Sequence, residues 1–89
     1  MKKYLMKLFV AGDTPRSERA IQNLKQLCDR AMKDNYEITI IDVLEQPDIA
    51  EEDKILATPT LIKLAPHPSR RIIGDLSDQD KVLTVLGVQ

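Results

Sequence analysis

The side chains of this sequence that could do acid–base or metal chemistry are not arranged for it. Three neighbouring carboxylates, Glu51, Glu52 and Asp53, form an acidic cluster. General acid–base catalysis needs carboxylates in contrasting environments, whereas adjacent residues on a solvated helix share one environment. A metal site needs several donors that converge on one point, and the sequence has one histidine, His67, and one cysteine, Cys28. These residues predict no catalytic residue, no metal site and no cofactor.

The single thiol lies about four turns into a predicted helix, away from the helix N-terminus that could activate it. Cys28 shares the apolar face of a predicted helix with Leu24 and Ala31, where a cysteine packs as a small core residue. A buried thiol without a basic neighbour stays protonated and inert. We therefore interpret Cys28 as a structural residue.

Residues 57–61, with sequence ATPTL, resemble one half of a redox site. A threonine-bracketed proline that leads into an apolar strand is similar to the cis-proline turn of thioredoxin-like folds, which faces a Cys-x-x-Cys pair after the first strand. Here that strand is followed by Gly12-Asp13-Thr14-Pro15, without cysteine. Pro59 is therefore a candidate for a structural cis-proline turn. A redox enzyme is the less favoured alternative, because it needs an activated thiolate near a helix N-terminus.

Length and composition narrow the class of protein further. The 89 residues are enough for one domain, residues 1–89, with a modest core. Only 3% of the residues are aromatic, so stacking platforms for nucleic acid are scarce. A net charge of −1 gives no field that would attract a polyanion, and no stretch approaches the ~20 apolar residues of a membrane span. We expect a cytoplasmic protein that binds neither nucleic acid nor membrane.

Apolar periodicity predicts the elements that must position these residues. The predicted strands cover residues 4–10, 36–43, 60–64 and 70–73, and the predicted helices begin at Pro15, after Pro47 (about two turns within residues 48–56) and at Ser77. The resulting order, βαβαββα, is that of an α/β protein with a thioredoxin-like fold. Its first crossover connection should be right-handed.

Local signals refine three of these elements. Asp13 or Thr14 is the expected N-cap of the first helix. The β-branched run of residues 36–43 is suited to a central parallel strand. Ser77, with Asp80 three residues later, resembles a capping box that opens the last helix.

Over essentially its whole length the chain resembles the KaiB family of circadian clock proteins. The matching stretches are residues 8–12 with Thr14-Pro15, residues 41–44, residues 50–61 and residues 70–77. The block AEEDKILATPTL at residues 50–61 is highly specific. The resemblance implies a non-enzymatic protein that binds the hexameric ATPase KaiC and, in complete clocks, helps to sequester KaiA. It places Lys54 and Ile55 on the KaiC-facing surface.

The resemblance also implies that one sequence supports two folds. Family members exist as a tetramer with the order βαββααβ or as a monomer with the thioredoxin-like order, which binds KaiC. Gly74, Asp75 and Ser77 are the expected fold-switch region. We expect a monomer in the thioredoxin-like state, because the capping pair at Ser77 and an apolar stripe after it favour a C-terminal helix.

Two departures from the family pattern support an alternative function. The chain stops about one turn after the last apolar helical residues, whereas clock members carry a longer, often acidic tail. Residues 29–36 also differ from the commoner family sequence. These departures fit a KaiB-like paralogue, or a sensor-type domain such as the one fused to the clock kinase SasA, with a stress or signalling role outside the core clock.

Overall fold

The computed structural model describes residues 3–88 and shows four strands and three helices in the predicted order. Their bounds are β1 (Tyr4–Val10), α1 (Pro15–Ala31), β2 (Tyr36–Asp42), α2 (Pro47–Glu52), β3 (Thr60–Ala65), β4 (Arg70–Ile73) and α3 (Gln79–Leu86). The predicted order βαβαββα is confirmed. Within the described residues, none of the helices is long and apolar enough to cross a membrane.

β1 lies inside the sheet, whose strand order is β2-β1-β3-β4. It is parallel to β2, with Leu8 opposite Ile40, and antiparallel to β3, with Leu8 opposite Leu61. The prediction that residues 36–43 form a central strand is wrong, because β2 is an edge strand in which Ile41 alone is buried. A β-branched run favours extended backbone at an edge as well as at the centre of a sheet.

The start of α1 follows the local signals of the sequence. The Thr14 hydroxyl oxygen accepts a hydrogen bond from the Ser17 amide at 3.1 Å, so Thr14 rather than Asp13 is the N-cap. Pro15 occupies the first turn, where its missing N–H does no harm. The apolar side of the helix then packs on the sheet through Ala20, Leu24, Leu27 and Cys28.

α3 has a different N-cap from the one that the sequence pattern suggests. Asp78, not Ser77, is the N-cap, and its carboxylate accepts a hydrogen bond from the Lys81 amide at 3.2 Å. The Ser77 amide instead donates to the Asp75 carboxylate at 3.1 Å. Aspartate and serine cap helices about equally well, so the sequence alone does not decide between them. Gly87 closes the helix with φ of 75°, in the left-handed region that favours glycine.

Each face of the sheet has its own buried core. The larger core, beneath α1 and α3, includes Met6 and Leu8 of β1. The smaller core lies beneath α2 and consists of Phe9, Ile41, Ala50 and Ile62. Successive strand residues point to opposite faces of a sheet, which explains why Leu8 and Phe9 belong to different cores. Ala50 is the one buried residue of α2, so the attachment of this short helix depends on the smaller core.

A buried cation, Lys63, fastens the end of α3 to β3. Its ammonium group donates to the Leu86 carbonyl oxygen at 2.9 Å, and 3% of the residue is exposed. The last carbonyls of a helix lack partners within the helix and carry partial negative charge, so the ammonium group caps them. Burial, together with the charge of Arg70, lowers the pKa of Lys63.

Candidate protein-binding site

The turn that follows α2 carries Lys54 and Ile55, the two residues predicted to contact a partner. α2 ends at Glu52, so both residues lie beyond the helix. The Lys54 amide donates to the Glu51 carbonyl at 3.1 Å and the Ile55 amide to the Ala50 carbonyl at 2.9 Å. Lys54 has φ of 55°, in the left-handed region. The chain therefore reverses at Lys54, as it commonly does at helix C-termini.

We call residues 54–56 the α2 turn. The reversal of the chain places their three side chains in different environments. Lys54 is exposed, Ile55 is half-buried against the smaller core, and Leu56 is 96% exposed. An open and mainly apolar groove of about 550 Å³ adjoins them, lined by Val43, Pro47, Ala50, Glu51, Lys54, Ile55 and Leu56. The exposed leucine and the apolar groove together form a contiguous apolar patch, which is a surface that another protein can cover.

Charged side chains from two strands contact the α2 turn and the residue before it. Lys7 of β1 forms an ion pair with Asp53 at 3.1 Å, with side chains that are 29% and 30% exposed. Arg71 of β4 donates to the carbonyl oxygen of Asp53 at 2.8 Å and to that of Lys54 at 3.2 Å. Two sheet strands thus hold the end of α2 in place.

The carboxyl end of β1, where a thioredoxin-like enzyme would carry its thiols, forms a tight turn. Gly12 has φ of 71°, and its amide donates to the Asp42 carboxylate at 3.0 Å. The same carboxylate oxygen accepts the Leu44 amide at 2.9 Å. A Cβ atom at position 12 would lie 3.2 Å from the end of the exposed Leu44 side chain, which can move aside, so it is the positive φ that favours glycine here. One carboxylate therefore ties the ends of β1 and β2 together.

The proline turn leads into β3. The Thr58–Pro59 peptide bond is cis, and the Thr60 hydroxyl donates to the Ala57 carbonyl at 2.6 Å. The Pro59 carbonyl accepts the Gly74 amide at 2.9 Å. The bond between the Gly74 amide and the Pro59 carbonyl joins the proline turn to the residue that follows β4. The structure thus brings two of the predicted residues, Pro59 and Gly74, into direct contact.

The one thiol, that of Cys28, is buried in the larger core as predicted. Burial, and then the negative charge of Asp29, raises its pKa from 9.0 to about 12. The thiolate is the nucleophilic form, so this thiol is inert at neutral pH. His67 is exposed, in the loop between β3 and β4. Residues 3–88 contain no group of three or more His, Cys, Asp or Glu side chains that could hold a metal ion.

The predicted fold-switch residues lie in the connection between β4 and α3. The Asn23 side-chain amide donates to the Asp75 carbonyl at 2.8 Å, and Arg19 Nε lies 3.9 Å from the Asp75 carboxylate. Hydrogen bonds from Ser77, and the charge of Arg19, lower the pKa of Asp75. Since Asn23 and Arg19 belong to α1, polar contacts fasten this connection to that helix.

Sequence reasoning missed Leu56 and the contacts of Arg71. Hydropathy alone predicts that a leucine is buried, so its exposure beside Lys54 and Ile55 could not be read from the sequence. For Arg71, strand alternation places the side chain on the face opposite the buried Ile72. That alternation is the signal that could have directed attention to α2.

The sequence has close relatives among known proteins. A family described as "KaiB domain" matches residues 7–88. The circadian clock oscillator protein KaiB of Prochlorococcus marinus subsp. pastoris is 60% identical over 82 residues, which cover 92% of this chain and 77% of that protein. The protein of the same name from Trichodesmium erythraeum is 56% identical, with coverages of 92% and 79%. These relatives are named as clock proteins rather than as enzymes.

Solved structures share the fold. The N-terminal domain of Synechococcus elongatus SasA matches with a TM-score of 0.79 at 26% identity, over 98% of this chain and 86% of that one. Oxidised mitochondrial thioredoxin 3 of Saccharomyces cerevisiae matches with a TM-score of 0.75 at 22% identity, over 96% and 77% of the two chains. The predicted thioredoxin-like fold is therefore confirmed.

Proposed function

This chain belongs to the KaiB family of circadian clock proteins, and we propose that it is a non-enzymatic interaction module that binds a KaiC-type ATPase and modulates clock-like timing. The observation that carries this proposal is the α2 turn, where an exposed cation and an exposed leucine flank a half-buried isoleucine beside an apolar groove. A few central residues supply most of the binding energy of a protein interface. Lys54, Ile55 and Leu56 form that centre in our proposal, with KaiA as a further partner in complete clocks.

A second candidate function is that of a paralogue or sensor-type domain outside the core clock, in stress or signalling. The likeness to the SasA N-terminal domain over 98% of the chain favours it. The two candidates differ in the consequence of binding rather than in the binding surface. Deletion of the gene separates them: lost or altered rhythms in constant conditions support the clock role, and intact rhythms with impaired stress survival support the second.

The double variant Lys54→Glu/Ile55→Ala is expected to weaken binding to a purified KaiC-type ATPase at least ~30-fold, because truncation of a hot-spot residue costs about 2 kcal/mol or more. Surface plasmon resonance gives the dissociation constant. Circular dichroism of the free variant checks that the fold is intact.

Lys33 supplies the matched control for this experiment. Like Lys54, it is exposed, follows a helix and has a left-handed backbone, with φ of 52° against 55°. Lys33→Glu should leave binding unchanged. Full binding by the double variant would contradict the proposal, and an equal loss in Lys33→Glu would assign the effect to overall charge instead of the α2 turn.

We also propose that the free chain rests as a monomer in the thioredoxin-like state, with Gly74, Asp75 and Ser77 as its fold-switch region. Two contacts of the C-terminal half support this preference. The Asp78 cap contributes about 1 kcal/mol to the start of α3, and Lys63 fastens its last turn.

In solution, assigned backbone chemical shifts should therefore show helix over residues 79–86 and strands on either side of residues 66–69. Light scattering should give a mass near 10.1 kDa. Strand shifts across residues 81–86, together with the mass of a tetramer, would show that the order βαββααβ predominates.

A further inference from the structure

The guanidinium group of Arg71 spans two consecutive carbonyls at the end of α2. Its Nη2 lies 2.8 Å from the Asp53 oxygen and its Nη1 lies 3.2 Å from the Lys54 oxygen. Guanidinium donors form a rigid planar fork that can bind two acceptors side by side, which a single ammonium group does less well. Carbonyls at a helix C-terminus lack partners within the helix and carry partial negative charge, so they suit a cation.

The α2 turn has few other contacts that fix its geometry. α2 has six residues and buries Ala50 alone, and the Leu56 side chain packs on almost nothing. Lys54 has a left-handed backbone, which is unfavourable for a residue with a Cβ atom and needs support from its surroundings. Apart from the Arg71 fork, that support comes from the backbone bonds that close the helix, from the Lys7–Asp53 ion pair and from the packing of Ile55 on the smaller core.

We propose that Arg71 is a positioning residue for partner binding, which holds the Lys54 peptide group so that the side chains of the α2 turn project together. This inference rests on the proposed function, since it assigns the presentation of the same surface. It also links the surface to β4, a four-residue edge strand that pairs with β3. Arg71 thus connects the α2 turn to the edge of the sheet.

Three variants test the assignment. Arg71→Gln removes both the charge and the fork, and Arg71→Lys keeps the charge without the fork. Arg70→Gln is the matched control, because Arg70 is the preceding residue of the same strand, is also exposed, and donates to the Ser69 carbonyl at 3.1 Å.

Two measurements separate positioning from direct contact. The first is amide hydrogen exchange in the free chain, followed by NMR at Lys54 and Ile55, with the Leu8 amide of β1 as the internal reference. The second is the dissociation constant for a purified KaiC-type ATPase. For both Arg71 variants we expect about tenfold faster exchange in the α2 turn and about tenfold weaker binding, the size of effect of a charge-assisted hydrogen bond at the surface. Exchange at Leu8, and both measurements for Arg70→Gln, should stay unchanged.

Hydrogen exchange in the free chain tests the positioning role of Arg71 independently of the proposed binding surface. Unchanged exchange at Lys54 and Ile55 would overturn the positioning role, whatever happens to binding. Faster exchange with undiminished binding would show that Arg71 orders the α2 turn but would overturn its role in partner binding, whereas Lys54→Glu/Ile55→Ala tests the α2 turn as the binding surface itself. Full rescue of exchange and binding by Arg71→Lys would overturn the fork, because charge alone would then suffice.

Discussion

Replacement of Phe9 with alanine is expected to lower the free energy of unfolding by about 3–5 kcal/mol, as such truncations do in protein cores. Phe9 is completely buried and is the largest member of the smaller core. The ring leaves a cavity that the three other members, Ile41, Ala50 and Ile62, cannot fill without moving. Since a domain of this size has roughly 5–15 kcal/mol of stability in total, one substitution removes a large share of it.

We expect the loss of packing in the smaller core to loosen α2 before the rest of the fold. Ala50 is the buried contact of this helix with the sheet, and Ile55 packs against the same core from the α2 turn. Phe9→Ala should therefore speed hydrogen exchange of the Ile55 amide more than that of β1 amides, and it should weaken partner binding. Urea unfolding followed by circular dichroism measures the global change, and NMR hydrogen exchange measures the local one.

Leu24→Ala is the control from the other core. Leu24 of α1 is 1% exposed in the larger core, so its truncation should cost a comparable ~2–5 kcal/mol while α2 stays attached. If Phe9→Ala does not fold, the milder substitution Phe9→Leu takes its place in the same measurements. For each variant, the exchange rate of the Ile55 amide is divided by that of the β1 amides. If this ratio is the same in the Phe9 and Leu24 variants, the smaller core has no selective role in holding α2.

The elements that the sequence predicted correctly are those with local causes. Thr14 caps α1 through the amide three residues later, and the apolar period of α1 needs no distant partner to be recognised. The order of the seven elements follows from such local patterns together with turn residues. Even so, the capping-box pattern points to Ser77 where Asp78 caps α3, because both side chains can accept the same kind of hydrogen bond.

The features that could not be predicted depend on contacts between distant residues. Nothing local distinguishes β2 as an edge strand, because its position depends on which strand pairs with the other side of β1. From the sequence alone, Lys63 is expected at the surface. Its burial depends on the Leu86 carbonyl of α3, 23 positions later, which accepts a hydrogen bond from its ammonium group. The Arg71 fork likewise joins residues 17 and 18 positions apart.

The candidate site illustrates the same limit. Only the resemblance to a family distinguishes Lys54 and Ile55 in the sequence, since one cation beside one isoleucine is an ordinary pair. Their physical distinction appears only in three dimensions, where Leu56 is almost wholly exposed beside them and an apolar groove adjoins the turn. Exposure of apolar surface is a property of the fold and cannot be read from hydropathy.

Alkaline pH is expected to destabilise the protein through its buried thiol. The pKa of Cys28 is about 12 in the folded chain against an ordinary 9.0. Between these values the unfolded thiol has lost its proton while the folded one keeps it, so the free energy of unfolding falls as pH rises. The stabilisation from the protonated thiol is thus complete below pH 9.0 and is lost by about pH 12. The slope is about 1.4 kcal/mol per pH unit, or about 4 kcal/mol over the whole interval.

Comparison with Cys28→Ala isolates this effect from the other groups that titrate in the same range. The hydrogen bond to Asp29 raises the pKa of Tyr36 to about 12, which adds to the alkaline loss of stability. The lowered pKa of Lys63 acts in the opposite direction, because the cost of burying its charge disappears as pH rises towards 10.5. Both groups are present in the two chains, where the Asp29 hydrogen bond remains the main cause of the raised pKa of Tyr36 and Cys28 adds a smaller contribution. The small cavity left by the substitution changes stability equally at every pH. Urea unfolding of the two chains from pH 7 to pH 11 gives their free energies of unfolding as a function of pH. The two curves should run parallel below pH 8.5. Above pH 9 the curve of the original chain should fall towards that of Cys28→Ala by about 1.4 kcal/mol per pH unit. Curves that stay parallel to pH 11 would mean that the folded chain accommodates the thiolate, and so that Cys28 is not sealed in the larger core.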